Sequence, residues 1–359
     1  MKPKILHIID SFSKGGAEVL LAGAIPDLID FDHHIIYLAH TPGQAEATHP
    51  SNVTVECLNY SSLSNTRSAI KKLKKRIAEI NPNVIHTHLY FSAILVRLTN
   101  TNTIPIIHTY HSQYYRVRYK STLAKIKKWF LKWVDQRTYK EDYTILHVSQ
   151  TQQQANDLDV GIKSSSVIYN YVEDDFFRSR NNRLYNNKNK LKIISVGNLK
   201  TEKNHMLLLQ ALTLLEHIPI HANIYGQGID HRILQEFINK NNLSVTIHGS
   251  KNDIVSLLEE HDLFVSCSII EGFGISVVEA MASEIPMIIS DISTFKEITE
   301  NKAWFFESKN AEDLADKIEV FYSNPASANS FCLDCKKVAE KYRKVFYIEK
   351  LSALYHSKI

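Results

Sequence analysis

Two glutamates eight positions apart, Glu271 and Glu279, flank the bare backbone of Gly272-Phe273-Gly274. Phe264 and Val265 lead into this stretch, and Val277, Val278, Ala280, Met281 and Ala282 follow at helical spacing. The order is strand, glycine loop, helix. Such a loop leaves free N–H groups at a helix start, where the helix dipole favours an anion. The carboxylates on either side would repel a phosphate but accept hydrogen bonds from hydroxyls. The pattern suits a ligand that is anionic at one end and rich in hydroxyls at the other.

Other residues carry weaker chemistry. Gly15-Gly16 follows the first apolar run and is either a phosphate-binding turn or a plain glycine turn. Gly197-Asn198-Leu199-Lys200-Thr201-Glu202-Lys203 holds the matching place later in the chain, where Lys203 either reaches a diphosphate or is a solvated lysine. Gly226-Gln227-Gly228 reads first as a turn, against which a nucleotide base could stack. No G-x-G-x-x-G is present, so a nicotinamide nucleotide has no fingerprint. His86, His88, His108 and His111 fall at or just past the ends of two expected strands. Their spacings define no metal set. They read either as donors to a sugar hydroxyl or phosphate at a cleft edge, or as core histidines.

The elements that must position these residues alternate. Strands are expected at Lys4–Ile9, Ile35–Leu38, Val53–Leu58, Val84–His86, Ile104–Thr109, Thr144–Val148 and Val167–Tyr169. A second set runs Leu191–Val196, Ile220–Tyr225, Val245–Ile247, Leu263–Ser266, Met287–Ile289 and Trp304–Phe306. Helical patterns lie between most of them, and this alternation predicts doubly wound parallel sheets. At 359 residues the chain exceeds one ordinary core. The asparagine-rich stretch 173–190 reads as a linker between domains 1–172 and 191–340, with a last helix, about 341–359. The expected fold is α/β, two Rossmann-like domains facing across a cleft, with ligands beyond the carboxyl ends of the strands.

Composition narrows the class. Hydrophobic content of 44% and charged content of 22% describe a globular protein with no membrane-spanning run. The start is too short for a signal peptide, so a cytoplasmic protein is expected. Cys332 and Cys335 form an isolated C-x-x-C, best read as two helical cysteines one turn apart. Net charge is +4, yet residues 116–137 alone carry +7. That segment also bears Leu123, Ile126, Trp129, Phe130 and Trp133 at helical spacing. It is either a helix for an anionic membrane surface or a core-facing helix with solvated lysines. Nucleic acid is not favoured, because the remainder is acidic.

The run E-G-F-G-I-S-V-V-E-A-M-A, with Ser268 before it and Pro286 after it, resembles the signature of the retaining family-four glycosyltransferases of the GT-B fold. The resemblance spans nearly the whole chain: Gly15-Gly16-Ala17-Glu18, His86-Thr87-His88, His111-Ser112, Asn170, Gly197 to Lys203 and Gly226-Gln227-Gly228 fall in the family's order. It implies that the last helix crosses back to the first domain. It implies that Glu279 binds the ribose of a sugar nucleotide and Glu271 the hydroxyls of the transferred sugar. The amides of Phe273, Gly274 and Ile275 would meet sugar and diphosphate, Lys203 would neutralise the leaving diphosphate without a metal or other cofactor, Gly16 would approach the same phosphates, and His111 would sit near the reacting sugar. Asn198 and Gly226 would complete the donor side, His86 and His88 the acceptor side. Asn198 stands where the family usually has arginine, and Asn170-Tyr171 where it often has Asn-Gly.

The implied activity is retaining transfer from a nucleoside-diphosphate sugar to a saccharide or lipid-linked glycan, in cell-surface polysaccharide synthesis at the inner face of the plasma membrane. A sugar-nucleotide epimerase or phosphorylase on the same plan, and a non-catalytic sugar-nucleotide-binding protein, are the competing readings.

Overall fold

The structure is a computed structural model that describes residues 2–13, 15–41, 47–60, 65–101, 103–117, 121–178, 190–325 and 329–359. Thirteen strands form among these residues: β1 (Lys4–Ile9), β2 (Asp32–Tyr37), β3 (Thr54–Cys57), β4 (Val84–His88), β5 (Ile106–Tyr110), β6 (Thr144–His147), β7 (Ser166–Val167), β8 (Leu191–Val196), β9 (Ile220–Tyr225), β10 (Val245–His248), β11 (Leu263–Ser266), β12 (Met287–Ser290) and β13 (Trp304–Phe306). All pair in parallel. The sheet orders are β3-β2-β1-β4-β5-β6-β7 and β10-β9-β8-β11-β12-β13. Each order reverses beside its first strand, at β1/β4 and at β8/β11. Such switch points open a crevice beyond the strands' carboxyl ends.

Two compact units result, Met1–Tyr171 with Lys344–Ile359, and Val172–Arg343. Of the expected linker, residues 173–178 belong to the second unit, and 179–189 lie outside the described residues. The helix Lys344–His356 packs Leu351 and Tyr355 with Ile5, Leu28, Phe31, Val84, Ile107 and Leu146 of the first unit. In the second unit Leu191, Ile193, Leu263, Val265 and Ile288 from neighbouring strands meet Leu208, Leu209 and Phe321 from helices. Strands buried on both faces explain these continuous apolar runs.

Two sequence expectations change. β4 runs on to His88 and β5 to Tyr110, so His86 and His108 lie within strands and are buried. Hydrogen bonds make a polar strand interior tolerable: His86 Nδ1 meets Tyr355 Oη at 2.6 Å and its Nε2 meets Thr109 Oγ1 at 2.7 Å. The cleft-edge reading is therefore corrected for these two histidines.

The basic segment forms the helix Thr122–Thr138, with Arg118 and Lys120 outside the described residues. Its apolar stripe faces outward, Leu123 being 75% and Trp129 69% exposed. The buried residues are Leu131 and Asp135. Asp135 accepts from the Arg97 guanidinium at 2.5 Å, Tyr110 Oη at 3.0 Å and Tyr115 Oη at 2.7 Å. This buried ion pair decides which face turns inward, and the core-facing reading of the tryptophans is overturned.

Candidate active site

The second unit builds its site at the β8/β11 switch point. β8 ends at Val196, and the turn that follows carries Gly197, Asn198 and Lys203. Gly197 leaves room for the Lys203 stem, since a Cβ there would lie 3.3 Å from its Cδ. Gly226 has φ +154°, and a Cβ on it would lie 2.0 Å from the Gly197 carbonyl oxygen. Leu199 N–H also donates to Gln227 O at 2.9 Å. The loops after β8 and β9 thus touch backbone to backbone, which only glycine at 226 permits.

β11 ends at Ser266, and its loop leads to the helix Ile275–Ala282. Gly274 caps that helix in the left-handed region at φ +94° and makes no side-chain cap. The early amides, Ile275 included, therefore lack a side-chain cap from this residue. Glu271 lies on the loop, where one carboxylate oxygen accepts from Lys203 Nζ and from Ser268 Oγ at 2.8 Å. The Glu271 carbonyl accepts from Thr294 Oγ1 at 3.0 Å, and Ser290 Oγ holds the Ser268 carbonyl at 2.5 Å. Ile269 N–H donates to Glu202 O at 2.9 Å, tying the Lys203 turn to the glutamate loop. Phe273 is buried, with its ring edge-on to Tyr342.

Glu279 sits about one helical turn past Gly274. Burial pushes its carboxyl up to about 7, against the downward pull of Lys203. His205, the first residue of the helix after the Lys203 turn, contacts Ser195 Oγ at 3.4 Å and Gly197 O at 3.3 Å. Burial and Lys203 hold its ring down to about 4, so it is neutral. Apart from Gly16, which lies in the first unit, the residues expected on the donor side follow the ends of three neighbouring strands of one unit: Lys203 and Asn198 after β8, Gly226 after β9, and Glu271 to Glu279 on the loop and helix after β11.

The first unit gathers the others at the β1/β4 switch point. Gly16 opens the helix Gly16–Ala24, with Gly15 as its cap. The Glu18 side chain folds back over that start: a Cβ on Gly15 would lie 2.4 Å from Glu18 Oε2. Ser11 Oγ donates to Glu18 at 2.6 Å. The chain therefore brings its own carboxylate to the helix start where the sequence suggested a phosphate. His88, the last residue of β4, and His111, just past β5, meet at 3.3 Å. His86 and His88 are both buried, and both ring nitrogens of each are engaged, His86 with Tyr355 and Thr109 and His88 with His7 and His111, so the expected acceptor-side role of both is corrected.

Several contributors were not singled out from sequence. Asp10, just past β1, accepts from the N–H groups of Phe91 at 3.1 Å and Ser92 at 2.6 Å, capping the helix Tyr90–Leu98. Burial raises its carboxyl to about 6. An acid at the end of a first parallel strand was a usable signal. Ser290 and Thr294 gave none, because their partners are backbone atoms distant in sequence.

A family model described as Glycosyl transferases group 1 matches residues 177–342. Another, described as Glycosyltransferase Family 4, matches residues 14–176. The poly(ribitol-phosphate) alpha-N-acetylglucosaminyltransferase of Staphylococcus aureus is 33% identical over 142 residues, 38% of this chain and 29% of that enzyme. The UDP-Gal:alpha-D-GlcNAc-diphosphoundecaprenol alpha-1,3-galactosyltransferase of Escherichia coli is 24% identical over 320 residues, 83% of this chain and 81% of that enzyme. Among solved structures, Anabaena HepE in complex with UDP-glucose aligns with a TM-score of 0.80 at 18% identity, covering 99% of this chain and 100% of that one.

Proposed function

Because the chain belongs to the group 1, family 4 glycosyltransferases of the GT-B fold, we propose that it moves a sugar, with retention, from a nucleoside-diphosphate sugar to a lipid-linked or saccharide acceptor in cell-surface polysaccharide synthesis. The observation that carries this reading is the group at the β8/β11 switch point: Lys203 and Ser268 on Glu271, the uncapped helix start at Gly274, and Glu279 one turn on. The E. coli relative's name, which specifies a diphosphoundecaprenol-linked acceptor, favours a lipid-linked substrate.

In this mechanism the anomeric C–O bond to the diphosphate breaks as the acceptor oxygen bonds to the same face of the sugar. The acceptor's proton passes to the departing phosphate. Lys203, paired with Glu271, swings onto the diphosphate, while the amides of Phe273, Gly274 and Ile275 face sugar and phosphate. Positioned charges of this kind stabilise the leaving group without a metal. Glu271 binds sugar hydroxyls and Glu279 the ribose, so the two are not an acid/base pair. Asn198 supplies no charge where a second cation is usual, which leaves Lys203 as the principal counter-charge.

The exposed face of Thr122–Thr138 favours work at the cytoplasmic membrane surface. Among the described residues no helix is long and apolar enough to cross a membrane. Trp129, Phe130 and Trp133 are nevertheless exposed beside Lys125 and Lys127. Aromatic rings flanked by lysines suit an anionic interface.

The test is transfer from a panel of sugar nucleotides to undecaprenyl-diphosphate-linked sugars, with the anomeric configuration of the product read by NMR. We expect transfer with retention, and loss of about a hundredfold or more in Glu271→Ala and Glu279→Ala, as for groups that position the reacting centre. Full activity in both variants, or an inverted product, would refute the reading.

A further inference from the structure

Four histidines cross the first unit strand by strand. His33 Nε2 lies 3.1 Å from the Leu28 carbonyl oxygen. His33 Nδ1 lies 3.0 Å from His7 Nε2. His7 Nδ1 lies 3.3 Å from His88 Nε2, and His88 Nδ1 lies 3.3 Å from His111 Nε2. The residues sit on β2, β1, β4 and just past β5, which are consecutive in the sheet. The chain of contacts ends at His111 Nδ1, a buried atom with no partner among the described residues.

Only one arrangement of protons satisfies this chain with neutral rings. A carbonyl oxygen can only accept, so His33 carries its proton on Nε2. Its Nδ1 must then accept from His7, whose own Nδ1 must accept from His88. By the same step His88 accepts from His111, whose remaining nitrogen is left with a bare lone pair. Burial keeps all four rings neutral: those of His7 and His88 are pushed well below the ordinary histidine value, that of His33 is lowered, and that of His111 falls to about 4. A fixed neighbour is what selects a histidine tautomer.

We propose that the Leu28 carbonyl, acting through His33, His7 and His88, fixes His111 as a hydrogen-bond acceptor, so that its Nδ1 accepts a hydrogen bond from a sugar hydroxyl and turns away phosphate oxygens. This rests on the sugar-nucleotide reading above and deepens it. His33, His7 and His88 are positioning residues, and His111 alone touches the ligand. The sequence suggested a donating histidine at this place; the hydrogen-bond order reverses its polarity. It also gives a role to three of the imidazoles buried in this sheet.

A metal is the rival occupant, since atoms of His7, His86 and His88 lie within 4.8 Å of one another. Both nitrogens of His86 are already bonded to Tyr355 and Thr109. A third ligand would break one of those contacts, so the relay accounts for the cluster better.

The test is long-range proton–nitrogen NMR on the full chain with nitrogen-labelled histidine, free of ligand at neutral pH. The expected result is an Nε2–H tautomer for His7, His33, His88 and His111. An Nδ1–H form or an averaged mixture at any of the four overturns the proposal, and so does one equivalent of zinc retained after dialysis with loss of these signals. His33→Gln can still donate to Leu28 and accept from His7, and should keep the pattern; His33→Phe should average the His111 tautomer and raise the donor KM about threefold to tenfold, the worth of one oriented hydrogen bond, with kcat little changed. If the Phe variant does not fold, the wild-type tautomers decide alone. Any sugar nucleotide shown to bind by thermal shift should move the His111 Nδ1 resonance while its nucleoside diphosphate does not; a bound sugar nucleotide that leaves it unmoved overturns the acceptor role. The ligand-free tautomers do not depend on turnover. A correct relay in a protein that binds and transfers no sugar would therefore sink the enzymatic reading alone.

Discussion

Gly274 shows what a single residue does here. Its φ of +94° is one that side chains with a Cβ rarely adopt, and a Cβ would lie 2.6 Å from Cε1 of the buried Phe295. Gly274→Ala is expected to cost about 1–3 kcal/mol through strain and overpacking, and to displace the amides that follow it. Urea unfolding measures the first effect and nucleotide affinity the second; a variant as stable as the parent would show that Phe295 yields without cost. Glu271 was legible as a functional carboxylate from its place before a glycine loop. Its partners were only half legible. Lys203 stood out by its position after the first strand of its half, whereas Ser290 and Thr294 hold the loop through carbonyl groups and leave no pattern along the chain.

At the scale of elements, the helix Thr122–Thr138 turns on Asp135. Removing that carboxylate strands the Arg97 guanidinium in the core, where Arg97 is 5% exposed. Asp135→Ala is expected to destabilise by about 3–5 kcal/mol, as for a buried pair broken on one side. Arg97→Met combined with Asp135→Leu should recover much of this in chemical denaturation; an unchanged deficit would show that Tyr110 and Tyr115 matter more than the charge. The outward face makes a separate prediction. Vesicles with anionic lipid should retain the protein and neutral vesicles should not, and Trp129→Ser with Trp133→Ser should weaken retention at least tenfold. Equal retention on both vesicle types would remove the membrane role without touching catalysis. The sequence contained both the tryptophan stripe and Asp135. It could not say which faced inward, because tryptophan is ordinarily the better core residue, and only the position of Arg97 on a neighbouring helix reverses the order.

For the whole molecule, buried histidines set the response to acid. His7, His86, His88 and His108 are held well below 6.5 by burial, and His111 and His205 down to about 4. Unfolded, each binds a proton near 6.5. Between about 6.5 and 4 the unfolded state therefore binds more protons, and stability falls as pH falls. Glu279 works the other way: raised from 4.5 to about 7, it binds its proton first in the folded state, so its contribution is lost as pH rises through that range. Asp10, raised to about 6, adds in the same sense. Six histidines outweigh two carboxyls, so unfolding free energy should drop on going from pH 7.5 to pH 5. Glu279→Gln should gain stability relative to the parent as pH rises from 5 to 8; a pH-independent difference between the two would show that Glu279 stays ionised in the folded protein.

The chain's own order of residues determined that there are two α/β halves, where the thirteen strands of the described residues lie, and that Glu271 to Glu279 flank a glycine loop between a strand and a helix. These follow from short-range physics: apolar runs buried on both faces, glycine where the backbone must turn, and a helix start that attracts anions. Tertiary structure alone decided which histidines are core, which way the tryptophans point, and that Lys203 pairs with Glu271. Each of those depends on a partner 20 to 270 residues away. His86 is settled by Tyr355 and Thr109, Asp135 by Arg97, and His111 by three other histidines brought into line only when the sheet forms. A hydrogen bond spanning such distances leaves no periodicity in the sequence that could announce it.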